Sequence, residues 1–325
     1  MILATLRGGG PDGTLVVVSP DRARFALPDD GPRTLQEALD RWDACESALE
    51  ACFERLASTG DGLPTSSAVF AAPLPRSYHW AEGSCYLPHM ERIRGSRGEA
   101  LPAEHRSRPK VYQGGSDQHL APVSEFRLLD PEWELDLEAT IVVFAGAVAA
   151  GVDAVEAAER IRLVGLTNDL TYRALIVEER QEGSGIYHSK PGRAYAPYVV
   201  TPSTLGSLWS GTTLHARVRT EINGDVLGEP FADRDLSFDF GRIMEHLCRT
   251  RALTPGSIVG TGTVSNADPV TGIGCIAEKR AMEIETSGRP TTRYLQPGDA
   301  LSIETFGADG VSLFGAIEQT VIRAD

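Results

Sequence analysis

The 325-residue chain has no Cys-x-x-Cys pair, and its cysteines number five: Cys45, Cys52, Cys85, Cys248 and Cys275. An odd count without knuckle spacing argues against a disulfide framework and a zinc knuckle. No uninterrupted apolar run approaches the roughly 20 residues of a membrane span, and no basic-then-apolar leader opens the sequence. The expectation is a cytoplasmic protein with no membrane partner. P-loop, HExxH and GxSxG motifs are absent, which sets aside P-loop NTPases, zincins and serine hydrolases. Positive charge is scarce, with 31 Lys and Arg against 45 Asp and Glu and a net charge of −14. A field of that sign repels phosphates and argues against a nucleic-acid partner. It leaves room for a small anionic substrate, which a few local cations can hold at close range.

What is present divides in two. Residues 1–70 read as a small N-terminal domain of strands and a helix. Apolar runs at 2–7 and 14–19 flank the glycine-rich loop 8–13. Thr34-Leu35-Gln36-Glu37 has the form of a capping box. It opens a stripe of Leu35, Leu39, Trp42, Leu49, Phe53 and Leu56 at near-helical spacing. Residues 71–325 form the larger domain, with strands expected at 69–72, 134–144, 195–201, 214–222, 257–264, 280–286, 301–306 and 312–321. Helices are expected from Asp153, another cap signature, and over 238–250. Asn223-Gly224 marks a two-residue hairpin turn. Helices are too few for a βαβ series, so the fold class is β-rich α+β.

Three segments offer chemistry, each with an ordinary alternative. Residues 80–89 supply Glu82 and His89 in a Gly/Pro-marked loop, or simply a surface loop with an incidental histidine. In 135–144, strand alternation puts Asp136, Glu138 and Thr140 on one face. Stacked acids there need a cation or base among them, unless the face is a solvated edge. Residues 164–173 end an apolar run in Asn168-Asp169 and then Arg173, a metal ligand and a carboxylate clamp, or an Asx-turn with a salt bridge. Ser189-Lys190-Pro191 and the turn 260–266, with Thr263, add a cation and hydroxyl donors.

Taken in order, Trp-x-x-Gly-Ser-x-Tyr-x-x-His (80–89 region), Val-Tyr-Gln-Gly-Gly-Ser-Asp (111–117), Leu-Asp-Leu-Glu-Ala (135–139), Asn-Asp-x-Thr-x-Arg (168–173), Ser-Lys-Pro (189–191), Leu-Thr-Pro-Gly-Ser-Ile-Val-Gly-Thr-Gly-Thr-Val-Ser-Asn (253–266) and Leu-Gln-Pro-Gly-Asp-Ala-Leu-Ser-Ile-Glu (295–304) resemble the fumarylacetoacetate hydrolase family from about residue 71 onward. The resemblance implies a mixed β-roll catalytic domain, usually dimeric, with Mg²⁺ (or Ca²⁺ or Mn²⁺) held by four carboxylates. Those positions fall on Glu82, Glu138, Thr140 and Asp169. Glu82 stands where Asp is usual, and Thr140 replaces a charged ligand with a neutral hydroxyl, so metal binding is expected to be weak or absent. Asp136, two residues along the strand, is the available substitute. The catalytic His falls on His89, its partner on Glu278, and Lys190 is placed to stabilise a carbanion or enolate. Arg173 and Thr263 match positions that contact substrate oxygens. Two other substrate-contacting positions fall on Gly115 and Ile176, so the founding member's substrate does not transfer.

The expected activity is hydrolysis or lysis of a carbon–carbon bond in a small 1,3-dicarbonyl keto acid by water that His89 and Glu278 activate. The alternatives are a non-hydrolytic member with weak or no metal (isomerase, decarboxylase, dehydratase or cyclase in specialised metabolism) and a non-catalytic binding protein. The expected partners are the small substrate and a second copy of the chain.

Overall fold

The computed structural model describes residues 1–29, 31–183 and 185–324. Its organising element is the strand Ala139–Ala145, whose sequence ATIVVFA is buried at every position. Such a run belongs to a strand covered on both faces. It pairs antiparallel with Ile161–Tyr172 on one side and with Ser257–Thr263 on the other. Ser257–Thr263 in turn pairs in parallel with His79–Gly83. These four neighbours lie within a 12-stranded sheet. Through Tyr198–Val200 that sheet continues into Ile2–Leu6, Thr14–Val18, Arg24–Ala26 and Leu63–Pro64.

The helix Trp42–Thr59 sets Leu49 and Leu56 into a core with Leu3, Leu15, Val17, Trp80, Phe144 and Leu163. Each fully buried side chain of this size contributes about 2 kcal/mol. A five-stranded sheet, in the order Asp225–Gly228, Arg217–Ile222, Ala300–Phe306, Ile317–Arg323 and Val123–Leu128, contributes Val218, Ile303 and Ile317 to a second core. The class is β-rich α+β, as expected.

Local signals formed where their chemistry is complete within a few residues. Thr34 accepts the Glu37 N–H, and Asp153 and Glu156 close a full capping box. Asn223 and Gly224 take φ values of 54° and 84° in the hairpin turn, the left-handed pair this turn type needs.

Elsewhere the structure corrects the expectation. The strand expected over 134–144 is two strands, Leu135–Asp136 and Ala139–Ala145, with Leu137 and Glu138 between them. The continuous strand that would align Asp136 with Glu138 and Thr140 is therefore absent, although Asp136 and Glu138 both meet Arg173 Nη2. Residues 280–286 lie in the helix Ile276–Ser287, not a strand. Glu278, Lys279, Ala281, Met282 and Glu283 are good helix formers, and the N–H groups of Ile276 and Ala277 are taken up by Asp136. The run 195–201 is interrupted at Ala196 and Pro197 between Gly192–Tyr195 and Tyr198–Val200, because proline removes a ladder donor. The segment 69–72 makes only an isolated bridge from Phe70 to Leu6. The last strand starts at Ile317 rather than 312. The N-terminal helix breaks at Arg41 into Leu35–Asp40 and Trp42–Thr59, and the expected helix over 238–250 is Phe240–Leu247.

Candidate active site

Four adjacent strands bring the singled-out residues to one place. Asp169 lies inside Ile161–Tyr172 rather than at its end, Glu138 immediately precedes Ala139–Ala145, and Glu82 lies on His79–Gly83. In register, Thr140 faces Thr167 on one neighbour and Thr263 on the other. Gly260 opposite Glu82 allows the close approach. A Cβ there would meet Thr140 Cγ2 at 2.9 Å and Glu82 Cγ at 3.4 Å. A cavity of about 70 Å³ is lined by Glu82, Tyr112, Glu138, Lys190, Arg173 and Thr263, with His89 on its wall and Arg180 also lining it. A larger open cleft of about 850 Å³ by the five-stranded sheet contains none of these residues.

His89 sits on the helix Leu87–Gly95, and Glu278 in the first turn of Ile276–Ser287. The two helices pack together, and His89 Nδ1 meets Glu278 Oε1 at 2.8 Å. Glu278 is fully buried; its second oxygen accepts the Gly274 N–H at 2.8 Å and lies 3.7 Å from Arg92 Nη1. A carboxylate on Nδ1 fixes the tautomer and leaves Nε2 as the basic nitrogen of the neutral ring. Cys275 Sγ lies 4.0 Å from His89 Nδ1, but burial pushes its thiol well up, so it is protonated.

Behind the dyad lies a buried lattice of opposite charges. Lys190 Nζ reaches Glu138 Oε2 at 2.6 Å, Asp169 Oδ2 at 2.6 Å and Thr171 Oγ1 at 2.9 Å. Arg173 Nη2 lies 2.7 Å from Glu138 Oε1, and Arg193 Nε donates to Asp169 Oδ1 at 3.0 Å. The Tyr112 hydroxyl also donates to Asp169. Burial alone would raise the Glu138 and Asp169 carboxyls, but Lys190 with Arg173 and Lys190 with Arg193, respectively, outweigh it and hold them below the usual range. Glu82 differs. Burial, and then Asp169, push its carboxyl well above the usual range.

Oxygens of Glu82, Glu138 and Asp169 all lie within 4.8 Å of one another, so the three expected acids do converge. As arranged they do not fit a divalent ion. A hard cation takes six to eight oxygens at its own contact distance, whereas Glu138 and Asp169 each have both oxygens engaged by lysine or arginine. Among the four positions expected to ligate a metal, Glu82 Oε2 and the neutral Thr140 Oγ1 are the atoms buried without a hydrogen-bond partner among the described residues. Asp136 is no substitute ligand. It faces Arg173 and the N-terminus of the Glu278 helix.

Sequence reasoning missed Tyr112, Arg193 and Arg180. Arg193 stacks over Trp80, its Cζ 4.4 Å from the ring centroid, while it holds Asp169. Its only local signal was an arginine at the start of a strand that otherwise runs into the core.

Residues 78–322 match the family model for the fumarylacetoacetate hydrolase C-terminal region, and residues 1–76 match that for fumarylacetoacetase N-terminal domain 2. Protein Rv2993c of Mycobacterium tuberculosis is 24% identical over 256 residues, which cover 78% of this chain and 88% of that protein. The fold is shared with maleylpyruvate hydrolase from Sphingobium sp. SYK-6, solved with manganese(II) and pyruvate (TM-score 0.68, 16% identity, 100% of both chains covered). It is shared too with 5-carboxymethyl-2-hydroxymuconate delta-isomerase from Mycobacterium smegmatis (TM-score 0.61, 19% identity, 100% of both chains). Proteins that share this fold thus include a hydrolase and an isomerase, and the hydrolase was solved with manganese(II). Matches that run through both parts of the sequence, on a fold shared over its whole length, make this chain a member of the fumarylacetoacetate hydrolase family.

Proposed function

We propose that this chain is an enzyme acting on a small oxo acid, with hydrolysis of a carbon–carbon bond in a 1,3-dicarbonyl acid as its reaction. The observation that carries the reading is the 2.8 Å contact between His89 Nδ1 and Glu278 Oε1 beside a cavity that Lys190 and Arg173 also line. Glu278 keeps His89 Nε2 basic, and Nε2 takes a proton from water as the oxygen attacks the carbonyl. The carbon–carbon bond breaks with its electron pair leaving on the oxo-acid fragment as an enolate. Lys190 and Arg173 stabilise that charge, and Thr263 offers a hydroxyl to substrate oxygen. The proton held on His89 Nε2 passes to the enolate carbon to give the keto acid, and the acyl fragment that took up the water oxygen leaves as a carboxylic acid. Mg²⁺, Ca²⁺ or Mn²⁺ would add Lewis-acid hold on the oxo acid in members that bind it. The structural relative that carries pyruvate supports an oxo acid as the ligand class.

A second reading is favoured by Thr140, which leaves the site one carboxylate short. The dyad would then move a proton between carbons without water, an isomerisation. The isomerase among the structural relatives supports it.

Both readings are tested by incubating the purified chain with acylpyruvates and a hydroxymuconate in D₂O. Coupled lactate dehydrogenase reads pyruvate release, and NMR reads deuterium uptake. Hydrolysis predicts pyruvate, with turnover lowered about 100-fold or more in His89→Ala and Glu278→Gln while circular dichroism is unchanged. Deuterium uptake without cleavage selects isomerisation. Equal rates in wild type and both variants would remove the dyad from the reaction.

A further inference from the structure

We infer that Lys190 takes the place of a divalent cation in this chain, so that the acidic cluster is built around an internal ammonium and the protein works without a metal. An ammonium has three N–H donors and no acceptor. All three are matched here, by Glu138 Oε2 at 2.6 Å, Asp169 Oδ2 at 2.6 Å and Thr171 Oγ1 at 2.9 Å. Lys190 is therefore seated between the two carboxylates that would bridge an ion.

The remaining oxygens of the pair are also taken. Arg173 lies against Glu138 Oε1 and Arg193 against Asp169 Oδ1, while the Tyr112 hydroxyl shares Asp169 Oδ2 with the ammonium. Three acids, Glu82, Glu138 and Asp169, thus face three cations, Lys190, Arg173 and Arg193. An entering divalent ion would meet like charge at contact distance. It would have to displace Lys190, stranding a buried ammonium, which is costly. What stays free is one carboxylate oxygen of Glu82 and the hydroxyl of Thr140, a donor set too small and too weakly charged for a hard cation.

Thr140 and Lys190 act in the same direction. A carboxylate at position 140 would add a negative charge and an oxygen that no lysine or arginine already holds. With a hydroxyl there, Lys190, Arg173 and Arg193 already balance Glu138 and Asp169. For catalysis this means the positive charge behind the substrate's oxyanion comes from Lys190, fixed by packing and independent of metal supply. That consequence rests on the oxo-acid reading above, but the ion-binding claim does not.

The test uses full-length protein stripped with chelator and titrated calorimetrically with Mg²⁺ and Mn²⁺, beside Lys190→Met, Lys190→Gln, Thr140→Glu and the double variant Thr140→Glu with Lys190→Met. Elemental analysis is made of protein purified without chelator. Wild type is expected to show no saturable binding below millimolar ion, no stoichiometric metal and a melting curve that EDTA does not move. The double variant is expected to gain affinity by about 100-fold or more over wild type, because it restores a carboxylate and removes the competing charge. Lys190→Gln keeps N–H donors on a neutral side chain one atom shorter and is expected to show a smaller gain. Micromolar Mn²⁺ binding by wild type overturns the inference, as does a melting curve lowered by EDTA. So does a double variant that is folded by circular dichroism yet gains less than about 10-fold. Should the lysine variants not fold, the wild-type titration and EDTA melt still decide. If an oxo-acid substrate is turned over, chelator-treated wild type should keep its rate. The absence of any turnover would count against the proposed reaction and leave the titration standing.

Discussion

Asp136 provides the sharpest test of how the site is held together, because it ties the strand entering the site to the helix that carries Glu278. It is fully buried. Its Oδ1 accepts the N–H groups of Leu137 and Ile276, each at 2.8 Å. Its Oδ2 accepts the Ala277 N–H at 2.9 Å and Arg173 Nε at 2.8 Å, with Arg173 Nη2 also 2.8 Å away. Asp136→Asn keeps the shape but replaces one acceptor oxygen with an amide that itself donates. Removing one member of a buried ion pair costs about 3–5 kcal/mol. Arg173 keeps Glu138 at 2.7 Å, so the lower end applies. A helix N–H left facing an N–H₂ group adds about 1–2 kcal/mol. The expected loss is then about 4 kcal/mol, the sum of those two costs. Urea denaturation followed at 222 nm measures it, with the slope against urea unchanged. A cycle with Arg173→Met should return a coupling of at least about 1 kcal/mol. A loss under about 1 kcal/mol, in the range of an exposed ion pair, or additive effects in the cycle, would refute the view that Asp136 anchors the Glu278 helix.

Two further outcomes follow from the same structure. His119 is buried against Ser77 and Tyr195, and burial, with Arg193, pushes it down to about 3. Its folded value is below the unfolded one of about 6.5, so between those values the unfolded chain binds a proton that the folded chain does not, and stability falls as pH falls. The loss from this group should reach about 2 kcal/mol at pH 5. It should be missing from His119→Gln in a series of melts between pH 7 and pH 5, and equal acid sensitivity of the two proteins would exclude His119 as its source. The family resemblance also leads us to propose a homodimer, so light scattering at micromolar protein should report about twice the 34.9 kDa chain mass; a monomer would contradict it.

The sequence by itself determined what depends on short spacings and on residue kinds. The Asp153 cap and the Asn223-Gly224 turn formed as read, and of the box expected at Thr34 the threonine half formed while Glu37 takes the Arg33 N–H instead; each is completed within three or four residues. The order of motifs from Trp80 to Glu304 was enough to identify the family, and the apolar run after Ala139 was enough to mark a strand, though not its central place in the sheet. Tertiary structure decided partnership. His89 and Glu278 are 189 positions apart, and only the packing of two helices makes them a dyad. A strand pattern was read into 280–286 because Asp136, some 140 residues away, supplies the acceptors for the helix start. Asp136 and Glu138 were assigned to one strand face because alternation holds only while the strand is unbroken. The structure breaks it at Leu137 and Glu138; the two acids still share Arg173, but Asp136 also holds the start of the Glu278 helix while Glu138 meets Lys190. Lys190 was legible as a cation near acids, but its seat between Glu138 and Asp169 was not. Which charge neutralises a buried carboxylate is settled by which side chain reaches it at hydrogen-bond distance, and the cation shared by Glu138 and Asp169 is Lys190, from the loop between the helix Arg173–Glu182 and the strand Gly192–Tyr195.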